Sequence, residues 1–161
     1  DTHCKMNPPL RTAQDRDAII GGLADGTLEL LASDHAPHCA HEKDVEFDYA
    51  PFGITGLETG LALSLMQLYH ADHLDLSTLI AKYTVNPATL LKLPKGTLSA
   101  GADADVTVFD PNAEWVYDAT ESPSKSVNTP FHGWKLKGQP SMTLVAGQIV
   151  FQIKGLLNNH Q

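Results

Sequence analysis

Cysteine is scarce in this sequence. Cys4 and Cys39 are the only two in 161 residues, and neither sits in a Cys-x-x-Cys pair. That excludes a disulfide scaffold and reads as two reduced thiols of a cytoplasmic protein. No stretch approaches the roughly 18 apolar residues of a membrane span. Positive charge is also short: Lys and Arg number 11 against 19 Asp and Glu, a formal net charge of -8. That balance argues against a nucleic-acid footprint, and solubility is expected. There is no Gly-x-Gly-x-x-Gly or Walker-type loop to cradle a nucleotide. Ser33, beside Asp34 and His35, lacks the strained Gly-x-Ser-x-Gly elbow of a serine hydrolase. No internal repeat or low-complexity tract is present. The opening Asp1-Thr2-His3-Cys4-Lys5 has neither a basic start nor an apolar run, so it is no secretory leader. It also lacks an initiating Met, which leads us to expect part of a longer chain.

What remains is a globular composition, 42% hydrophobic. Pro8-Pro9 marks a rigid loop. A helix is predicted over Gln14–Asp25, with Asp15 and Asp17 in its first turn, Ile19, Ile20 and Leu23 as its apolar face, and Gly26 as its stop. The run Leu28-Glu29-Leu30-Leu31-Ala32 has the length and near-continuous apolarity of a buried parallel strand. It leads straight into Ser33-Asp34-His35-Ala36-Pro37-His38, followed by polar loop to Gly56. Helices are predicted over Leu57–Leu93, with Leu57, Leu61, Leu65 and Leu68 as core, Asp75 or Ser77 as a cap, and Asn86-Pro87 as a cap with proline at the first helical position. From Gly96 the pattern turns to strands, Val106–Phe109 and Leu144–Phe151, with Asp110-Pro111 and Gly138-Gln139-Pro140 as breakers. The segment after Lys154 reads as a frayed tail. This order predicts an α/β fold over the first 95 residues and a separate small sheet after them. One strand makes no parallel sheet, so the α/β part requires partners outside this chain.

Asp34 follows the predicted strand, where catalytic groups sit in (β/α) barrels. A carboxylate there binds a divalent metal, acts as a general base, or merely caps the loop through an Asx turn. His38, behind the rigid Pro37, suits a metal, an anionic substrate or plain solvent; His35 and His41 fit solvent better. Four of the eight histidines fall in the first 41 residues, yet none forms a His-x-His or His-x-x-x-His ligand pair. The amide of Asn7 can bind an amide-bearing substrate or simply serve its turn. Arg11 suits a carboxylate clamp, but local pairing is the more ordinary role. Gly53 and Gly56 allow close backbone approach to a ligand, or an ordinary helix entry.

Three ordered motifs, Lys5-Met6-Asn7-Pro8-Pro9-Leu10-Arg11, Ala32-Ser33-Asp34-His35-Ala36-Pro37-His38 and Ala50-Pro51-Phe52-Gly53-Ile54-Thr55-Gly56-Leu57-Glu58, resemble the dihydroorotases of the amidohydrolase superfamily. Asn86-Pro87-Ala88 and the stretch Gly96–Asp105 resemble that family's ending. The resemblance runs from Lys5 to about Phe151. It implies the last strands and helices of a (β/α)8 barrel over residues 1–95, part of a small β-sandwich over 96–154, and a tail over 155–161. It implies one or two zinc ions, of whose ligands only the last Asp is present, at Asp34. The His-x-His pair, the bridging group and the middle histidines are missing, and His3 is at no ligand position. The implied reaction is reversible hydrolysis of dihydroorotate to carbamoyl aspartate in pyrimidine synthesis. Asp34 would relay the proton, Asn7 and His38 would hold the substrate carboxylate, and backbone around Phe52 and Gly53 would bind the ring. The chain alone is expected to be inactive, and its implied partners are the missing amino-terminal part, a second copy, or aspartate transcarbamoylase. Allantoinases and hydantoinases share the Ser-Asp-His core but usually lack the Asn and the second His, which favours a carboxylate-bearing substrate. A non-catalytic dihydroorotase-like subunit is the third reading, and Asp34 and His38 count against it.

Overall fold

The computed structural model describes residues 1–153; the expected tail over 155–161 lies outside the described residues. A single 3-10 turn, Thr2–Cys4, precedes helix α1, Ala13–Asp25. Thr12 and Asp15 cap α1 reciprocally: the Thr12 hydroxyl accepts from the Asp15 amide, and the Asp15 carboxylate accepts from the Thr12 amide. Gly26, at φ +87°, ends it in the left-handed conformation that glycine adopts without penalty. A short helix α2, Ala40–Lys43, lies in the stretch expected to be loop. Helix α3, Gly60–Ser64, runs on into a π turn, Leu65–Tyr69; α4, Leu76–Tyr83, and α5, Val85–Leu90, follow. Asp75 caps α4 by accepting from the Thr78 amide. The cap of α5 is Thr84 rather than Asn86, and Pro87 sits inside its first turn, where a missing N–H costs nothing. Asn86 instead donates across to the Glu29 carbonyl at 2.6 Å.

The predicted strand Leu28–Ala32 is not a strand among the described residues. A strand exists only by its ladder, and no neighbour among the described residues offers one. Its backbone is met from the helices: the Leu31 amide donates to Lys82 O at 3.1 Å, and Lys82 Nζ donates to Leu28 O at 2.7 Å.

The sheet is antiparallel, in the order β1-β2-β3, with β1 over Val106–Val116, β2 over Lys135–Val145 and β3 over Gln148–Gln152. Both expected breakers lie inside strands. Asp110-Pro111 is absorbed by an irregularity between Asp110 and Glu114, and Pro140 pairs with Phe109 beside a second register shift. The apolar run Leu144–Phe151 is two strands, turned at Ala146 and Gly147. Both turn residues have positive φ, as a two-residue hairpin matching strand twist requires.

The π turn joins two cores. Leu65 and Leu68 pack with Leu23, Leu74 and Leu79, and Phe109 of β1 lies against them. One turn earlier, Ala62 packs with Tyr117, Ala119 and Leu136. Leu57, expected in the core, is 66% exposed because it precedes α3. Gly138 lets β2 approach this junction: a Cβ there would lie 2.3 Å from Leu65 Cδ1, at a φ of +98°.

Leu65→Ala, at a fully buried position, should cost about 2–5 kcal/mol. Gly138→Ala should cost about 1–3 kcal/mol from overpacking, plus left-handed strain. Urea midpoints at constant slope measure both. The carboxylates of Asp15 and Asp75 are held below the ordinary carboxylate range, each chiefly by the threonine it caps. Their contribution should be complete above about pH 4 and fade as pH falls through their lowered values, visible as loss of helical signal in an acid titration. Replacing Asp75 by Asn should flatten its share.

Candidate active site

Three segments without regular structure meet between the helices and the amino terminus. The amide of Gly53 donates to Lys5 O at 2.9 Å, tying the Pro51–Gly56 loop to the segment that carries Asn7. The Ala36 amide donates to Ile54 O at 2.9 Å, and the Gly56 amide donates to His35 Nδ1 at 3.1 Å. His35 therefore orients the loop. Gly53 has φ +107°, and a Cβ on it would lie 2.5 Å from the Ala36 Cβ. Only glycine permits this approach.

Asp34 lies at φ +44°, a conformation that Asp tolerates better than most residues but that costs free energy. Its side chain is exposed, as is Asn7. His38 is half-buried, and its Nε2 lies 2.9 Å from Phe52 O. A carbonyl only accepts, so this contact places the proton on Nε2. His38 Nδ1 faces Glu42 Oε2 at 3.8 Å. The structure thus links His38 to Phe52 directly, and leaves the Asp34 and Asn7 side chains open to solvent. Arg11 pairs with Asp15 at 3.4 Å, the local role. His41 is exposed.

Three residues to which the sequence assigned no role in the site hold this arrangement. Lys43 is 2% exposed and donates to Pro51 O at 2.7 Å and Thr2 O at 3.2 Å. Burial, and then the charge of Lys5, push its ammonium below the usual lysine range. Lys5 donates to Asp48 O and stands 4.9 Å from the centre of the Phe52 ring. Asn128, 2% exposed, reaches the site from beyond β1. A cleft of about 520 Å³ opens beside His38, its lining of mixed charge, with Lys43 and Lys125 against Asp1 and Asp44.

Among the described residues no group of three or more His, Cys, Asp or Glu side chains converges as a metal centre would. A protein metal site takes about three or four ligands, so the donor set here, Asp34 alone, does not fit a complete one.

The sequence model of the amidohydrolase family matches residues 6–150. The chain is 54% identical over 152 residues to a dihydroorotase of Geobacter sp. (strain M21), covering 94% of this chain and 36% of the relative. It is 50% identical over 157 residues to the dihydroorotase of Acetivibrio thermocellus, covering 98% and 37%. Among solved structures, it resembles the L-hydantoinase (dihydropyrimidinase) of Arthrobacter aurescens, with a TM-score of 0.86 at 31% identity over 92% of this chain and 34% of that one. The D-hydantoinase (dihydropyrimidinase) of Thermus sp. gives 0.84 at 25% identity over 94% and 34%. The chain therefore spans little more than a third of the length of the relatives it matches.

Gly53→Ala should drive the two loops apart. Hydrogen exchange of the Ala36 amide, now bonded to Ile54 O, should quicken in the variant, whereas unchanged exchange would mean the loops have slack.

Proposed function

The chain belongs to the amidohydrolase family, and on that premise we propose that it is the carboxy-terminal part of a dihydroorotase. In this reading residues 1–95 complete a (β/α)8 barrel whose other strands give Leu28–Ala32 its missing ladder. Residues 96–154 contribute to a small β-sandwich, and 155–161 form a tail. The observation that carries the proposal is the half-identity to dihydroorotases over nearly the whole chain, which the hydantoinase structures do not approach in sequence.

The reaction is reversible ring opening of dihydroorotate. Water adds to the ring amide carbonyl, and the carbon–nitrogen bond breaks to give carbamoyl aspartate. Asp34 accepts the proton of the attacking water and returns it to the departing nitrogen. Its exposed carboxylate, at the head of a loop pinned on both sides, suits that shuttle. The backbone around Phe52 and Gly53 binds the ring. Asn7 and His38 take the substrate carboxylate. A carboxylate needs a donor, and the Nε2–H that His38 gives to Phe52 O is one, so substrate competes with Phe52 O for it. The cofactor is zinc, one or two ions, with Asp34 as the ligand from this chain and the remaining ligands from outside it.

Dihydroorotate ring opening by the full-length protein tests this. Asp34→Asn should lower kcat about 10²–10⁴-fold, and the 161-residue chain alone should be inert. Turnover of hydantoin or allantoin but not dihydroorotate would transfer the reading to those rings, and absence of all three activities in the metal-loaded protein would leave a non-catalytic subunit.

A further inference from the structure

We propose that Asn128 is a positioning residue of this site, setting His38 against the Phe52–Gly53 loop and so tuning the site for a substrate that carries a carboxylate; the substrate part of the inference rests on the function proposed above. The side chain of Asn128 uses every hydrogen-bonding group it has. Its Oδ1 accepts from the His38 amide at 3.0 Å. Its Nδ2 donates to Ala36 O at 2.9 Å and to Gly53 O at 3.3 Å. Its own carbonyl accepts from the Thr55 amide at 3.0 Å. The orientation of the amide is settled by these partners, because two carbonyls face the NH₂ and one N–H faces the oxygen.

Two loops are thus held by one planar group of fixed size. Ala36 and Gly53 are already at the contact limit, as the 2.5 Å approach of a Cβ on Gly53 to Ala36 implies. Asn128 prevents them from separating, and the glycine prevents them from closing further. His38 hangs between, its main chain on Asn128 and its ring nitrogen on Phe52 O. None of the four bonds reaches Asp34. Loss of Asn128 should therefore weaken how substrate is held more than how its proton is moved.

The chemistry separates hydrogen bonding from packing. Asp has the shape of Asn, but its carboxylate would face the Ala36 and Gly53 carbonyls with no donor between. Ala removes the group and leaves three part-buried backbone groups without their partner. If volume were the whole role, Asp would substitute well; by the bonding argument it fails at least as badly as Ala.

The experiment uses the metal-loaded full-length protein with Asn128→Asp and Asn128→Ala, both checked for a native thermal transition. Steady-state kinetics are measured on dihydroorotate and on dihydrouracil, the same ring without the carboxylate. We expect KM for dihydroorotate to rise about tenfold or more with kcat within about threefold, and the preference for dihydroorotate over dihydrouracil to shrink by a similar factor. Equal losses on both rings, or an Asp variant that behaves as wild type, would overturn the proposal. Hydrogen exchange of the 34–40 segment is followed in the same samples. Should the wild-type protein turn over neither ring, the functional reading fails by itself, and the positioning role stands or falls on whether exchange at the His38 amide quickens selectively in Asn128→Asp.

Discussion

A backbone carbonyl removed from water must find a donor, and in much of this chain no neighbouring strand supplies one. The segments that carry the candidate site, and the apolar run that leads into it, have no ladder of their own. Long side chains stand in for it. Lys82 and Asn86 reach Leu28 O and Glu29 O, Lys43 reaches Pro51 O and Thr2 O, and Asn128 reaches Ala36 O and Gly53 O. Each donor comes from an element with structure of its own or a loop packed beside one. The irregular site is thereby tied to regular parts at a handful of points. Two of these donors, Lys43 and Lys82, are buried ammoniums satisfied by carbonyls. Carbonyl dipoles meet the hydrogen-bonding demand of the charge without neutralising it.

Sequence pattern revealed features whose cause is local. The bounds of α1 were legible because Asp15, Gly26 and the apolar spacing all lie within one helix length, and the Asp75 cap was legible for the same reason. The motif positions Asp34, His38, Phe52 and Gly53 fall on segments that the fold does bring together. What escaped depends on distance along the chain. Leu28–Ala32 has strand composition, but a ladder is a property of two segments. Gly138 and Pro140 look like breakers until Leu65 is seen to need the space a side chain would fill, and until the register shift opposite Pro140 is known. Asn128 sits in a Ser-Val-Asn-Thr-Pro stretch that reads as ordinary loop, and nothing near it in sequence announces that its partners lie around residues 36, 38 and 53.

The backbone of Asp34 illustrates how the site holds a costly shape. A non-glycine residue at positive φ stays there only if its surroundings leave no alternative. On its carboxy-terminal side the loop is fastened within two residues, by the Ala36 amide on Ile54 and the Ala36 carbonyl on Asn128. His35 closes the same stretch from its side chain. The exposed carboxylate is therefore held by a constrained backbone rather than by contacts of its own, which suits the proton relay proposed for it.

The bonds of Asn128 also carry an order of events. They span 90, 92 and 75 residues, so the loops they fasten are made well before the residue that fastens them. When Asp34, His38 and Gly53 have left the ribosome, the group that joins them has yet to be translated. A nascent chain halted short of position 128 would hold the candidate site on loops joined only by the Gly53–Lys5, Ala36–Ile54 and Gly56–His35 bonds, with three part-buried backbone groups lacking their amide. Assembly of this site is thus a late event by construction, coupled to arrival of the segment between β1 and β2 rather than to the helices that surround it.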